Sequence, residues 1–257
     1  MLFMSSQRHA SREYMTAILG RPAKLKDCAG HFEAFVHYLI DRTRTAFNKP
    51  VSFAWAEGYG ASFEEIMQAP NPILMGTFHV GYSDLMGFFM RVFNKKIHML
   101  RLRLGNSEDT DRLESLAGEF LKIIWVNQPQ ETIYALKEVI SQGGSVAMQC
   151  DRVQHSSKLD TFHFLGAKRY FPVSIYSLSI LFQAPVIFII AGGKAGKDGK
   201  IPVYDSAIFR PEHASKQVNL QSAQEHFQSV LNLLEGLLRS HPQIWFNFEP
   251  LNPIEKT

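Results

Sequence analysis

His79 and Asp84 stand five residues apart in "GTFHVGYSD", directly after the apolar run Ile73-Leu74-Met75. An imidazole titrates near neutral pH and can take the proton of an attacking hydroxyl. A carboxylate on its other ring nitrogen fixes the tautomer and stabilises the imidazolium that forms. Five residues is too far for an ideal pair on one continuous helix, but a loop that enters a helix near Ser83 can bring the two side chains together. Gly81 gives that loop its freedom to turn. The spacing alone is also met by chance, with His79 a satisfied strand-end histidine and Asp84 an acid in a first helical turn. Both readings stand on these residues alone.

Other groups at apparent strand ends carry chemistry. Arg101 and Arg103 in "MLRLRLGN" could bind a phosphate or a developing oxyanion, or form a solvated basic edge. Asp151 and Arg152 in "VAMQCDR" could order a site, contact an acceptor, or make a structural ion pair. Arg91, Lys95, Lys96 and His98 make a cationic patch suited to an acidic carrier protein or to anionic lipid head groups, and equally to an ordinary helix end. Ser83 in "GYSDL" is a possible hydrolase nucleophile, although the GxSxG elbow needs glycine where Leu85 stands. The run "DLMGFFMRVF" reads mainly as core, with some side chains able to line an apolar acyl tunnel.

These residues need elements to position them. The 257 residues, 46% hydrophobic with 20 Phe, suffice for one globular domain with a sizeable core. A net charge of +3 is too mild to indicate nucleic acid by itself. Cys28 and Cys150 lie far apart without metal-ligand spacing, so no zinc site or disulfide framework is expected and a reducing compartment fits best. Neither a signal peptide nor an apolar stretch long enough to span a bilayer is read.

Residues 1–50 read as a helical preface, with Phe32, Phe35, Val36, Leu39 and Ile40 as an apolar stripe. After it, short apolar runs at Ile73–Phe78, Ile97–Leu100, Ile123–Val126, Ser145–Met148 and Val186–Ile190 alternate with helices. The helices are expected from about Ser83, over Asp109–Leu121, Glu131–Ser141, Val173–Phe182 and Asn219–Arg239. "IWFNF" reads as a last core strand, and "GGKAGKDGK" as a turn between strands. This alternation predicts an α/β fold with a mainly parallel mixed sheet covered by helices on both faces. In such sheets ligands bind beyond the carboxyl ends of the strands, where His79 sits.

Across roughly residues 70 to 250 the chain resembles the bacterial late acyltransferases of lipid A biosynthesis, the lauroyl/myristoyl transferase family within the lysophospholipid acyltransferase-like group. The matching motifs are "HVGYSD" against the family's His-x4-Asp/Glu, "MLRLRLGN", "VAMQCDR", "FLG" at 164–166, "APV" at 184–186 and "HPQIWFNF" at 241–248. The resemblance implies a glycerol-phosphate-acyltransferase-like fold. It also implies transfer of a fatty acyl group from an acyl carrier protein or coenzyme A thioester to a hydroxyl of a lipid acceptor, without an acyl-enzyme. His79 would be the base and Asp84 its orienting partner, with Arg101, Arg103, Asp151 and Arg152 as substrate-binding or oxyanion groups. No metal or resident cofactor is expected. The implied partners are an acyl carrier protein and a lipid acceptor. The implied location is peripheral, on the cytoplasmic face of a bacterial inner membrane. Alternatives are a hydrolase or thioesterase using Ser83, and a non-catalytic acyl-lipid-binding relative.

Overall fold

The computed structural model describes residues 5–47, 49–68, 72–85, 96–101, 114–115, 121–126, 129–156, 158–212 and 215–252. The chain opens with helices α1 (Ser5–Leu19) and α2 (Leu25–Ala46), followed by β1 (Phe53–Trp55), α3 (Ala61–Gln68) and β2 (Leu74–Thr77). Next come β3 (Ile97–Arg101), β4 (Leu121–Trp125), α4 (Pro129–Ser141), β5 (Ser145–Gln149), β6 (Leu159–Phe164) and β7 (Ala167–Pro172). The remainder is α5 (Ser174–Phe182), β8 (Val186–Ala191), β9 (Ile201–Asp205) and α6 (Lys216–Ser240).

Seven strands form one sheet in the order β1-β9-β8-β2-β5-β3-β4. All neighbours in it are parallel except β8 and β9, which run antiparallel and are joined by the Gly/Lys-rich turn expected there. Along β8 successive side chains enter opposite cores. Val186, Phe188 and Ile190 pack with α1, α4, α5 and α6, whereas Ile187, Ile189 and Ala191 pack with Phe63, Ile66 and Met67 of α3. A strand buried on both faces loses the apolar/polar alternation of a half-exposed one, hence the unbroken apolar run Val186–Ala191. Gly76, central in β2, lies opposite Phe188, and a Cβ there would collide with the Phe188 ring.

The expected strands and helices are present within the described residues, their ends shifted by a few positions. Of the helix expected over Asp109–Leu121 only 114–115, which are helical, and Leu121, which opens β4 instead, are described; most of the one after Ser83 lies outside the described residues, apart from a 3-10 turn at Ser83–Leu85. The short β1, α3 and the β6–β7 hairpin were not foreseen, and β9 was implied only by the turn before it. The hairpin turns at Leu165-Gly166, both at positive φ (52° and 75°), as a two-residue primed turn requires.

Two expectations are corrected. "IWFNF" is not a strand of the sheet: Pro242–Ile244 is a 3-10 turn, Trp245 makes an isolated antiparallel bridge to Val80, and Phe248 has a φ of 49°. The segment's rings pack on α2 and its backbone bonds to the loop after β2, so it fills the space between the two instead of adding to the sheet. The apolar stripe of α2 is also split. Phe35 and Tyr38 pack on Phe246, and His31 stacks on Phe248 at 4.6 Å, so this aromatic face turns inward. Val36 (38% exposed), Leu39 and Ile40 (53%) are left outside.

Candidate active site

The site is assembled by strand register. β2 and β5 are parallel neighbours with Thr77 opposite Gln149, so the residues two places beyond each strand, His79 and Asp151, also fall side by side. The Cys150 amide donates to the Thr77 carbonyl at 2.8 Å, extending the pairing one step past the strands. Asp151 Oδ1 accepts from His79 Nδ1 at 2.7 Å. A carboxylate can only accept from a neutral ring nitrogen that carries a proton, so the neutral His79 ring is the Nδ1–H tautomer. Nε2 then holds the free lone pair and, among the described residues, has no partner, while the side chain is 18% exposed. The arrangement is that of a general base with its orienting acid.

Asp151 is fully enclosed, its side chain 0% exposed. Its Oδ2 accepts from the His79 amide at 2.9 Å and from the Trp245 indole Nε1 at 2.8 Å. Burial pushes the carboxyl's pKa up, but the His79 imidazole beside it and the three hydrogen bonds more than offset this and hold it below the ordinary value. A buried carboxylate kept ionised in this way can stabilise an imidazolium during reaction.

The carboxylate on the His79 ring is therefore not that of Asp84. Gly81 does turn the chain, at a φ of 50°, and its Cα approaches the Ala191 and Gly192 backbone so closely that a Cβ would clash. That turn docks the loop on the end of β8: the Tyr82 amide donates to the Ala191 carbonyl, and Ser83 Oγ accepts from the Ala191 amide. Asp84 pairs elsewhere: its Oδ2 meets Arg101 Nη2 at 3.1 Å and Arg42 Nε at 3.7 Å. The Tyr38 phenol lies within the reach of this carboxylate's charge. Burial above all, with the Asp84 charge second, pushes the Tyr38 phenol far above its usual pKa.

Arg101 is thus brought to the site edge, as the last residue of β3, but as the partner of Asp84. Arg103 lies outside the described residues, as do Arg91 and Lys95. Arg152 does not pair with Asp151; its guanidinium donates to the Asn247 side-chain oxygen at 3.1 Å and to the Asn247 carbonyl. Ser83 is buried, 3% exposed, and among the described residues makes no hydrogen bond with His79, so the geometry does not present it as a nucleophile.

Sequence reasoning missed Tyr38, Asp41 and Arg42 on α2 and Trp245 and Asn247 near the C-terminus. Asp41 Oδ2 accepts from the Tyr82 hydroxyl at 2.8 Å, so α2 is fastened across the loop that carries His79. Asp151 was recognisable as a strand-end acid. Its pairing needed the order β2-β5, which periodicity does not encode. Compared with protein-family models and with curated protein sequences, the chain finds no match.

Proposed function

We propose that the protein is an O-acyltransferase that moves a fatty acyl group from a thioester, on an acyl carrier protein or coenzyme A, to a hydroxyl of a lipid acceptor. The observation that carries this reading is the His79–Asp151 pair at the carboxyl ends of two adjacent parallel strands, with Nε2 available as base. The ordered motifs shared with the late acyltransferases support the same chemistry and a glycerol-phosphate-acyltransferase-like fold, in which α1 and α2 form the preface.

His79 Nε2 takes the acceptor hydroxyl proton as the oxygen attacks the thioester carbonyl, and Asp151 stabilises the imidazolium. The C–S bond then breaks and the departing thiolate recovers the proton from His79, leaving an ester and a free thiol. The thioester is already activated, so positioning and charge stabilisation suffice and no acyl-enzyme is required. Arg101, two strands from β2 in the sheet order, is assigned to an anionic group of a substrate, with Arg103 as the other family candidate. In this assignment Asp84 holds Arg101 instead of orienting the base.

A lipid acceptor is supported by the outer face of α2. Leu25, Val36, Leu39 and Ile40 of α2 and Phe47 just after it are all exposed, and Val36 and Ile40 point away from the aromatic packing of His31, Phe35 and Tyr38. The exposed charges between residues 21 and 49 are Arg21, Lys24, Lys26, Arg44 and Lys49 against Glu33, with Arg21 paired to Asp27 and Arg44 to Asp41. An apolar face with a cationic border suits the surface of an anionic bilayer. Among the described residues no helix is long and apolar enough to cross a membrane. We therefore place the protein on a membrane surface, cytoplasmic in the family's manner. The reading is tested by incubating the protein with acyl carrier protein and coenzyme A thioesters and a total lipid extract, and identifying any acylated lipid by mass spectrometry.

A further inference from the structure

The C-terminal segment 241–248 contacts both members of the pair. Trp245 Nε1 donates to Asp151 Oδ2, and Asn247 Nδ2 donates to the Asp151 carbonyl at 3.1 Å. On the other side, the Phe246 amide donates to the His79 carbonyl at 2.7 Å, the Gly81 amide donates to the Ile244 carbonyl, and Trp245 bridges Val80. Arg152 locks the segment through Asn247. One short stretch thus holds the backbone of each residue and one oxygen of the carboxylate.

The indole itself is held from behind. Tyr14 of α1 meets its ring edge-on at 5.0 Å and Phe164 does so at 5.5 Å. His31 Nε2 bonds to the Trp245 carbonyl at 2.8 Å, which can only accept, so this nitrogen donates and Nδ1 is left to accept from Ser11 Oγ at 3.0 Å. Trp245 is 5% exposed and His31 1%. From these contacts we infer that Trp245 is a positioning residue of the base, acting through Asp151. Two donors on Oδ2 set the rotation of the carboxylate, and that rotation aims Oδ1 at His79 Nδ1. Without the indole, the His79 amide alone holds Oδ2, and the carboxylate turns more freely about its Cβ–Cγ bond. His79 then loses the partner that selects its Nδ1–H tautomer, and Nε2 carries the proton for part of the time.

The inference rests on His79 as the base, but its first readout does not need turnover. In protein labelled with 15N histidine, the ring-nitrogen shifts of neutral His79 should report one tautomer, Nδ1–H. Trp245→Phe removes the donor and keeps an aromatic ring, and should give a mixture of tautomers. Phe164→Leu loosens the packing of the same indole while leaving its N–H in place, and should keep the wild-type tautomer even where the fold is less stable. In the transfer assay Trp245→Phe should lower kcat about tenfold or more, by analogy with the outer partners that orient metal-bound histidines, with KM within about twofold. A single Nδ1–H tautomer in Trp245→Phe, or the same tautomer mixture in Phe164→Leu, overturns the positioning role. Absence of transfer by the wild type would count against the proposed reaction and leave the tautomer result to decide this inference.

Discussion

Asp151→Asn is the substitution that separates the geometry seen here from a His79–Asp84 pair. Asp151 accepts from three donors, the His79 amide, the Trp245 indole and His79 Nδ1–H, at 2.9, 2.8 and 2.7 Å. An asparagine has one oxygen for them. If that oxygen stays at the Oδ2 position it keeps two of the three donors, the backbone amide and the indole, and the new NH2 group faces Nδ1. Keeping two bonds outweighs keeping one, so His79 must present Nδ1 as an acceptor and move its proton to Nε2. The base is then blocked. The same kind of tautomer error in a serine-protease triad costs about 10⁴ in kcat, so a loss of about 10³ to 10⁴, on the order of 4 to 5 kcal/mol in barrier, is expected here.

Stability should change much less, because asparagine loses charge-assisted bonds but also removes the cost of burying a charge; about 2 kcal/mol either way is expected. Asp84→Asn weakens pairing with Arg101 and Arg42 and leaves the His79–Asp151 bond intact. Its kcat should stay within about tenfold of wild type because the base and its orienting acid are untouched, with the main change in KM and a loss of stability from the missing charge beside the largely buried Arg101 and Arg42. The measurement is steady-state release of thiol with acceptor lipid present, together with the thermal midpoint of each variant. Near-normal kcat in Asp151→Asn with a collapse in Asp84→Asn would refute the pairing as the catalytic one.

Burial depresses the His31 pKa to about 4 from its ordinary 6.5, although its bond to the Trp245 carbonyl acts in the opposite direction. The unfolded chain therefore binds the proton first: this contribution is complete above pH 6.5 and is lost as pH falls towards 4, by about 3 kcal/mol. Urea unfolding at a series of pH values should show that slope, flattened in His31→Gln. Gly76→Ala should destabilise by about 1–3 kcal/mol through overpacking against Phe188, measured by chemical denaturation; no loss would show that the ring can move aside. Val36→Glu with Ile40→Glu should reduce sedimentation of the protein with anionic lipid vesicles while leaving its thermal midpoint nearly unchanged. Equal sedimentation of variant and wild type would remove α2 from the membrane surface.

Much of the fold could be read from local pattern. Val186–Ala191 and Leu74–Thr77 announce themselves as apolar strands, and α6 as a long periodic helix, because burial on two faces or on one stripe leaves its mark in the order of residues. His79 was found for a related reason, as a titratable group where an apolar run stops. Its partner was not found, because sequence proximity favoured Asp84, five residues on, over Asp151, 72 residues on. Only the adjacency of β2 and β5 makes the distant acid the near one. "HPQIWFNF" misled for a different reason. Its aromatic residues suit a strand, and nothing local shows that Trp245 spends its N–H on a carboxylate and its ring on Tyr14.

The most direct test is a single-turnover reaction of a long-chain acyl thioester with total lipid extract, comparing wild type with His79→Ala and quantifying acylated lipid by mass spectrometry. Wild type should form an O-acylated lipid and an equal amount of free thiol, and His79→Ala should form neither above background while keeping the wild-type thermal midpoint. A wild-type protein that yields no acylated lipid from either kind of donor, or a His79→Ala protein that yields as much as wild type, would contradict transfer by the His79–Asp151 base.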